Sequence, residues 1–296
     1  RGESDVRFHS SQVTLQDYFA NARKAGYAIG HFNFATADVL RAIVEGARAG
    51  GAPCVMVGAS EGESAFLGLT TTVALVRAIR EASGFPVFLN ADHFKSFDAC
   101  KQAIDAGYDT VLFDGASQPY EVNVIETQRV WQYAQTKRGG YMLEGELGYL
   151  KGSSEVQQEV AISPEDYTQP EQAADFVKRT GVERLAVAFG NIHGIVTHQK
   201  EELDIGHLIK IAEAVPSAYL VLHGASGLSD AQVKAAIAAG ITNVHFNTEL
   251  RVAYQHALKD ELASEPDQTT PYKLLAPAVA AVRELVEQKT RLFMGR

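Results

Sequence analysis

Cysteine is scarce in this chain, which has only Cys54 and Cys100 among its 296 residues. Two cysteines cannot build a disulfide framework, and their spacing fits no zinc knuckle. We therefore expect two buried thiols in a reducing compartment. Long hydrophobic runs are also missing, which excludes a transmembrane helix of about 18 or more apolar residues. The first residues, Arg1–Asp5, show no hydrophobic signal segment. These absences favour a cytoplasmic protein, with processing or trimming left open because the initiator Met is missing.

Basic residues are fewer than acidic ones as well. The chain has 27 Lys and Arg against 36 Asp and Glu, which gives a net charge of −9. This balance argues against a general nucleic-acid binder, whose affinity depends on contacts from Lys and Arg to phosphates. A small phosphorylated substrate remains compatible, because a few local dipoles can hold one phosphate. The hydrophobic share of 46% and the charged share of 21% are ordinary for a globular protein and exclude a disordered chain.

Eight short apolar segments recur at a regular interval. Each is rich in β-branched or aromatic residues, as expected for a strand buried on both faces. The predicted strands are Tyr27–Gly30, Cys54–Val57, Pro86–Leu89, Asp109–Phe113, Tyr141–Glu144, Arg184–Phe189, Tyr219–Leu222 and Thr242–Phe246. Their starts are on average about 31 residues apart, the size of one βα unit. Stretches with the apolar period of a helix lie between them.

A glycine precedes seven of the eight predicted strands and can close the preceding helix in the left-handed conformation. These glycines are Gly26, Gly51, Gly84, Gly107, Gly140, Gly181 and Gly240. Eight such units without a linker predict one α/β domain over residues 1–296, a single (β/α)8 barrel. A doubly wound sheet is the alternative. It is disfavoured because the units run without a break and neither GxGxxG after the first strand nor GxxxxGK[ST] occurs.

One connection is longer than the others. The fifth and sixth predicted strands start 43 residues apart, and the excess lies in the polar segment Leu147–Pro170. A long connection at the catalytic end of a barrel is usually an active-site loop or lid. We expect the segment 147–170 to have that role.

Polar side chains mark the C-terminal ends of all eight predicted strands, where barrel enzymes place their chemistry. They are Asn33, Ser60, Asp92, His93, Asp114, Glu146, His193, His223 and Asn247. Three are histidines, and the strand before His93 should lie across the barrel from the other two. Three converging imidazoles with an open fourth position are typical of a catalytic divalent metal, most often zinc. A hydrogen-bonded buried histidine is the alternative for any one of them. Asp92 is a candidate orienting partner or general acid–base.

The last two units suggest a phosphate site. His223 is followed by the small residues Gly224–Gly227, and a predicted helix begins near Ser229. Backbone N–H groups and a helix N-terminus can bind an anion there. Asn247 and Thr248 follow the eighth strand beside this segment. A tight turn is the alternative reading of the glycines.

Six motifs at these positions resemble one known family, the class II, metal-dependent ketose-bisphosphate aldolases. The motifs are Phe32-Asn33, Asn90-Ala91-Asp92-His93, Phe113-Asp114-Gly115, Glu144-Gly145-Glu146-Leu147-Gly148, Gly190-Asn191-Ile192-His193-Gly194 and Leu222-His223-Gly224-Ala225-Ser226-Gly227. The resemblance extends from Gly26 to Arg251. It is specific because all six motifs occur together and in this order. It implies aldol cleavage of a ketose 1,6-bisphosphate of fructose or tagatose type, a lyase reaction of glycolysis and carbohydrate metabolism.

The resemblance also implies a role for each matching residue. His93, His193 and His223 would bind catalytic zinc, with Asp114 and Glu146 near a second or resting metal position. A second divalent or a monovalent cation is left open. Asp92 would exchange a proton with the C4 hydroxyl of the ketose. The substrate and its phosphates would be held by Asn33, Ser60, Gly194, Gly224, Ser226, Asn247, Thr248 and Arg251. Glu155 on the long loop would remove the proton from C3 of dihydroxyacetone phosphate, with Glu159 in reserve.

Three residues depart from the family pattern near the substrate. Phe94 stands where glycine is usual, and His31 where a small residue is commoner. His245 occupies the place of an asparagine that contacts the enediolate, and we expect it to donate an N–H in its stead without binding zinc. These departures make the identity of the substrate uncertain, and they affect the class of reaction less. No lysine ends a predicted strand, so a Schiff-base mechanism lacks an obvious nucleophile.

Two other functions compete with this reading. The first is another metal-dependent sugar-phosphate lyase or epimerase, which the missing asparagine favours. The second is a catalytically silent barrel that keeps metal and phosphate binding. The resemblance implies a phosphorylated sugar as the partner and a homo-oligomer, a dimer or tetramer. No nucleic-acid or membrane partner is expected.

Overall fold

A closed barrel of eight strands forms the centre of the computed structural model, which describes residues 13–137, 140–148 and 150–296. Arg1–Asp5 and Tyr149 lie outside the described residues. All eight strand pairs of the barrel are parallel, which confirms the predicted (β/α)8 class. The barrel strands are β1 (Ile29–Asn33), β2 (Val55–Ser60), β3 (Val87–Phe94), β4 (Thr110–Phe113), β5 (Met142–Leu147), β7 (Arg184–Val187), β9 (Tyr219–Leu222) and β10 (Ile241–Phe246). Two further strands, β6 (Gly152–Gln157) and β8 (His193–Val196), form a separate small sheet.

Helices surround this barrel. They are α1 (Leu15–Ala25), α2 (Ala37–Ala49), α3 (Glu61–Leu67), α4 (Leu69–Ser83), α5 (Phe97–Ala106), α6 (Tyr120–Lys137), α7 (Pro170–Thr180), α8 (Ile205–Ala214), α9 (Asp230–Ala238), α10 (Thr248–Ser264) and α11 (Pro271–Phe293). Among the described residues, no helix has the length and apolar character needed to cross a membrane. Gly26 and Gly181 close α1 and α7 in the left-handed conformation. All seven glycines predicted to precede strands have positive φ.

Several strands extend further toward their C-terminal ends than predicted. β1 reaches Asn33 and β2 reaches Ser60, while β3 continues to Phe94 and β5 to Leu147. Asp92, His93 and Glu146 therefore lie within strands and not after them. The predicted segments ended too early because they followed apolar runs, whereas the last residues of these strands include polar side chains.

The main core lies between the strands and the helices. In β10, Val244 and Phe246 point into this layer, so strand alternation turns His245 toward the barrel interior, as expected. A second cluster closes the N-terminal end of the barrel, where Phe19 of α1 packs with Cys54 and Met56. Cys54 and Cys100 are both free and buried, which confirms the prediction.

The long segment 147–170 is more ordered than a plain loop. It contains β6, which pairs in parallel with β8, and a short 3-10 helix at Pro164–Asp166. The N–H of His193 donates to the carbonyl of Lys151 at 2.9 Å, and the Gln157 side chain donates to the carbonyl of His193 at 2.7 Å. The segment is thus attached to the strand that begins with His193. The sequence did not predict β8, because a strand of four residues is too short to show a clear alternation of apolar and polar side chains.

Candidate active site

A small cavity at the C-terminal end of the barrel collects most of the predicted site residues. Its volume is about 30 Å³. The predicted residues that line it are Asn33, Asp92, His93, His193, Gly194, His223, Gly224, Ser226, His245, Asn247 and Thr248. Ser154 of β6 also lines it and was not among the predicted residues. A sugar bisphosphate needs far more room, since small-molecule pockets typically measure about 300–1,000 Å³.

Asp92 and His93 both face this cavity although they are adjacent in β3. Strand alternation would send them to opposite sides, but the pairing of β3 with β4 shifts in register between Ala91 and Phe94. His93 also has φ +51°, the one positive φ outside glycine among the described residues. Strained backbone of this kind is found preferentially at functional sites. The irregularity allows both side chains to enter the mouth.

The three predicted metal histidines converge, with one ring nitrogen from each lying within 4.8 Å of the others. Nε2 of His93 is 3.0 Å from Nδ1 of His223. Two nitrogen ligands of a tetrahedral zinc ion lie about 3.4 Å apart, because zinc–nitrogen bonds are about 2.0–2.1 Å long. Nε2 of His193 is buried and has no hydrogen-bond partner. The set therefore fits a divalent metal with three imidazole ligands.

The electrostatics of this cluster also suit a cation. Nδ1 of His93 lies 3.1 Å from Asp114 and 3.3 Å from Glu146. Burial opposes charge on His93, but Asp92, Glu146 and Asp114 raise its pKa well above the usual value. Burial and the two neighbouring imidazoles hold the pKa of His193 well below its usual value, so that ring offers a free lone pair. In this position Asp114 and Glu146 orient His93, and their oxygens also lie within 4.8 Å of it as an alternative ligand group.

A buried ion pair stands behind His223. Nε2 of His223 donates to Oε1 of Glu144 at 2.7 Å, and Oε2 of Glu144 lies 2.6 Å from Nη1 of Arg184. Glu144 and Arg184 are completely inaccessible to solvent. Because Nε2 must carry a proton to donate, Nδ1 of His223 is left with a lone pair toward His93.

Asn191 connects the two loops that carry His193 and His223. Its amide donates to the carbonyl of His223 at 3.0 Å and to that of Val187 at 3.2 Å, while its oxygen accepts the N–H of Phe189 at 2.8 Å. On the other side of the loop, the N–H of Ile192 donates to Glu201 at 2.7 Å. These bonds fix the backbone next to His193. Burial raises the pKa of Glu201 to about 8.

His245 lies beside the histidine cluster and faces Asp92. Its Nδ1 is 3.4 Å from Oδ1 of Asp92, and its ring centroid is 4.0 Å from that of His223. Burial and His223 hold the pKa of His245 well below its usual value. A titration of this ring near neutrality, which an exposed histidine would show, is therefore not expected. Burial opposes ionisation of Asp92, but the charge of His93 and the nearby Nδ1 of His245 keep its pKa well below the usual value.

The predicted phosphate residues surround one side of the cavity. Gly194 and Gly224 have φ of +93° and +67°, and a Cβ at either position would collide with backbone oxygens of the neighbouring loops. Only glycine allows this close approach. The hydroxyl of Ser226 accepts the N–H of Glu249 at 3.3 Å, and Glu249 accepts the N–H of Gly227 at 2.7 Å. Asn247 immediately precedes α10, and Thr248 is its first residue.

Six predicted residues do not line the cavity. Asp114 and Glu146 contact His93 from outside it. Ser60 caps α3: its N–H donates to Glu63 at 2.8 Å and its hydroxyl accepts the N–H of Glu63 at 3.3 Å. Arg251 lines an adjoining cavity of about 190 Å³ and donates to the carbonyl of Ser154. Glu155 and Glu159 are exposed on the long segment. The described conformation therefore brings neither loop carboxylate into the histidine cluster.

Sequence reasoning missed the residues that hold the site residues in place, above all Glu144, Arg184, Asn191 and Asn90. A signal existed for Arg184, which is a lone charge in an otherwise apolar predicted strand. Such a residue needs a buried partner. Glu144 precedes Glu146 by two residues in β5, so strand alternation turns both side chains toward the barrel interior. Nothing in the local pattern marks Asn191 as a connection between two loops.

Comparison with known proteins gives a consistent result. Residues 13–296 match the family described as class-II fructose-bisphosphate aldolase. The chain is 34% identical over 289 residues to a probable fructose-bisphosphate aldolase of Bacillus subtilis, covering 95% of this chain and 97% of that protein. It is 33% identical to a fructose-bisphosphate aldolase of Geobacillus stearothermophilus, with 96% and 97% covered. The crystal structure of the YdjI aldolase of Escherichia coli K12 superposes with a TM-score of 0.81 at 29% identity, with 95% and 97% covered.

Proposed function

Because the chain belongs to the class II fructose-bisphosphate aldolase family and catalyses the aldol cleavage of a ketose bisphosphate, we propose that it does so with zinc held by His93, His193 and His223. The observation that carries this proposal is the convergence of three ring nitrogens within 4.8 Å at the barrel mouth. Zinc bound there supplies a Lewis acid for the charge that develops on the substrate carbonyl oxygen. The hydrogen bonds to Glu144 and to Asp114 orient two of the rings toward the third.

We assign the phosphate of the dihydroxyacetone half to the segment around Gly194, Gly224, Ser226 and Thr248. Gly194 and Gly224 line the cavity with positive φ, which supports this because such backbone can present N–H groups to an anion. The beginning of α10 adds a favourable dipole next to Thr248. Arg251 lines the adjoining cavity and would meet the second phosphate.

Asp92 is the proposed acceptor of the C4 hydroxyl proton. Its ionised carboxylate would take that proton while the C3–C4 bond breaks, so that C4 becomes the aldehyde and the bond electrons remain on C3. The amide of Asn33 donates to Oδ2 of Asp92 at 2.8 Å and holds the carboxylate in place. A proton from the loop carboxylate, Glu155 or Glu159, would then complete dihydroxyacetone phosphate at C3.

The long segment 147–170 acts as a lid in this proposal. Ser154 of the segment forms part of the wall of this cavity of about 30 Å³, which is smaller than a sugar bisphosphate, so we expect the segment to open for binding and product release. Opening and reclosing would also bring Glu155 from its exposed position toward C3. Ser154, which lines the cavity and accepts a hydrogen bond from Arg251, moves with it.

The substrate is proposed to be fructose 1,6-bisphosphate, the sugar named in the curated relatives. Tagatose 1,6-bisphosphate differs only in the configuration at C4. The configuration of the product formed from dihydroxyacetone phosphate and glyceraldehyde 3-phosphate distinguishes the two. We further propose a homodimer or homotetramer in the cytoplasm, which light scattering of the purified protein and cell fractionation can test.

The proposed roles of Asp92 at C4 and of the loop carboxylate at C3 are tested with Asp92→Ala. The variant should keep its zinc and lose cleavage by about 10²–10⁴-fold, the usual contribution of a general acid–base. Proton exchange at C3 of dihydroxyacetone phosphate should survive, because Asp92 serves C4. Asp267→Ala, at an exposed turn, is the matched control. An equal loss of exchange and cleavage would make Asp92 an orienting residue.

A further inference from the structure

Two histidine rings lie flat against each other at the centre of the barrel. His31 of β1 and His245 of β10 are directly paired in the register of these neighbouring strands. Their ring centroids are 3.6 Å apart and their planes differ by 5°. Both residues depart from the family pattern, and both are buried, His31 completely. Such a contact couples the positions of the two rings.

The proton of His31 can be placed from its neighbours. Nη2 of Arg184 donates to the Asn90 side chain at 3.1 Å, so the Asn90 atom that faces Arg184 must be the oxygen. The Asn90 amide nitrogen therefore faces Nε2 of His31, also at 3.1 Å. Because that amide donates, Nε2 of His31 accepts, and a neutral His31 carries its proton on Nδ1. Nδ1 of His31 has no hydrogen-bond partner among the described residues.

Asp92 offers the matching acceptor. Its Oδ2 accepts the Asn33 amide, whereas its Oδ1 is buried with only His245 Nδ1 nearby, at 3.4 Å. A carboxylate oxygen of Asp92 and a ring nitrogen of each histidine lie within 4.8 Å of one another. A buried carboxylate oxygen without a donor is costly. In the described conformation neither Nδ1 of His31 nor Nδ1 of His245 makes a hydrogen bond to this oxygen, so the N–H of each ring is free to be offered to it.

The same three side chains do not make a good metal site. An imidazole binds a metal in its own ring plane, and the planes of His31 and His245 are nearly parallel. An ion in the plane of one ring would therefore lie out of the plane of the other.

The packing around His31 is tight at Gly58, where a Cβ would collide with the His31 ring. Gly58 is therefore consistent with a packing role for His31.

We infer that His31 is a positioning residue, which holds the His245 ring by stacking and, together with it, fixes Asp92 through the N–H groups that the two rings can offer to Oδ1. The pair thus sets the position of the carboxylate that receives the C4 proton. This inference rests on the proposed role of Asp92. It predicts that His31 affects carbon–carbon cleavage and leaves proton exchange at C3 intact.

The test compares His31→Gln with His31→Leu, two side chains of similar size of which only the first has an N–H donor. His31→Leu should lose cleavage by about tenfold or more, the factor expected for one hydrogen bond to a charged group, with exchange close to that of the wild type. His31→Gln should recover most of the cleavage. Zinc content and thermal unfolding of both variants show whether the fold and the metal site are intact.

A second measurement does not depend on any variant folding. In protein labelled with ¹⁵N-histidine, the ring shifts should show His31 protonated at Nδ1. A proton on Nε2, or equal loss of exchange and cleavage in both variants, would overturn the inference. More than one tightly bound zinc per chain that disappears in His31→Leu would also overturn it in favour of a metal site. If Asp92→Ala itself fails to separate exchange from cleavage, the proposed function fails independently of His31.

Discussion

Glu144 determines which nitrogen of His223 faces His93, another of the three proposed zinc ligands. Its carboxylate accepts the Nε2–H of His223 at 2.7 Å, so the lone pair of Nδ1 points toward His93. Glu144 itself is fixed by Arg184, which it contacts at 2.6 Å in the fully buried interior. Two residues from the middle of the barrel thus orient a side chain at its mouth.

Glu144→Gln should weaken zinc binding. The amide keeps the size of the side chain but can present either its nitrogen or its oxygen to His223, and it leaves the charge of Arg184 uncompensated. We expect metal affinity to fall by about 10–100-fold, the usual effect of removing such a partner. Competition with a zinc chelator measures it. Wild-type affinity in a folded variant would contradict the role of Glu144.

His223→Ala should abolish both metal retention and activity, because one of three imidazole ligands is lost. Elemental analysis after dialysis gives the zinc content, and the exposed His198→Ala is the control. Since ligation requires neutral imidazoles, zinc should also be lost from the wild type in mild acid. Full zinc occupancy in His223→Ala would refute the assignment.

Glu155→Gln should suppress proton exchange at C3 by about 100-fold or more, as expected for loss of a general base, and leave KM nearly unchanged. The reason is that the side chain acts only after the lid brings it to the substrate. Glu159→Gln is the matched variant from the same segment. If exchange is normal in the first variant and lost in the second, the base is Glu159.

His245→Asn should retain zinc and change substrate preference. The asparagine can donate an N–H but cannot stack on His31 or reach Asp92 at the same angle. Because burial keeps His245 neutral, the pH profiles of wild type and variant should run parallel around neutrality. Kinetics with several aldehydes provide the comparison. Loss of zinc would make His245 a ligand, and unchanged kinetics with every aldehyde would reduce it to filling space.

Glu201 should make the protein less stable as the pH rises. Its folded-state pKa is about 8 because the carboxyl is buried, whereas in the unfolded chain it is near 4.5. The folded state therefore binds more protons between these values, and its stability is complete below about 4.5 and declines up to about 8. Glu201→Gln should be more stable than the wild type at alkaline pH, by on the order of 1–3 kcal/mol, and equal to it in acid.

Thermal unfolding across this pH range measures the effect, with Glu159→Gln in the exposed segment as the control. A Glu201→Gln curve that runs parallel to that of the wild type at every pH would show that the carboxyl is ionised in the folded state.

The barrel could be predicted from the sequence because its signals are local. The seven glycines before strands all have the positive φ that the prediction required, and the apolar runs mark the strands themselves. The ends of β3 and β5 were missed because their polar residues are buried by the rest of the barrel and not by their own neighbours. A serine at a strand end can also cap the next helix, as Ser60 does with Glu63, so its predicted substrate contact remains a prediction.

The places of the three proposed metal histidines could be predicted from the ends of the strands. The orientation of their rings could not be predicted from the sequence. Glu144 meets His223 across 79 residues of sequence and Asn191 meets it across 32. No pattern within a single segment encodes such contacts. The stacking of His31 on His245 joins the two ends of the barrel sequence, so each residue looked like an isolated departure until the strands were closed into a ring.

The pairing of β6 with β8 has a consequence for redesign of this enzyme. A loop transplanted from a relative would normally be cut at its two ends, yet here the segment 147–170, the proposed lid, shares backbone hydrogen bonds with the strand that starts at His193. The exchangeable module is therefore discontinuous: residues 150–163 and 190–199 need to be transferred together. A chimera that replaces only the first piece would alter the metal centre while seeming to alter only the lid.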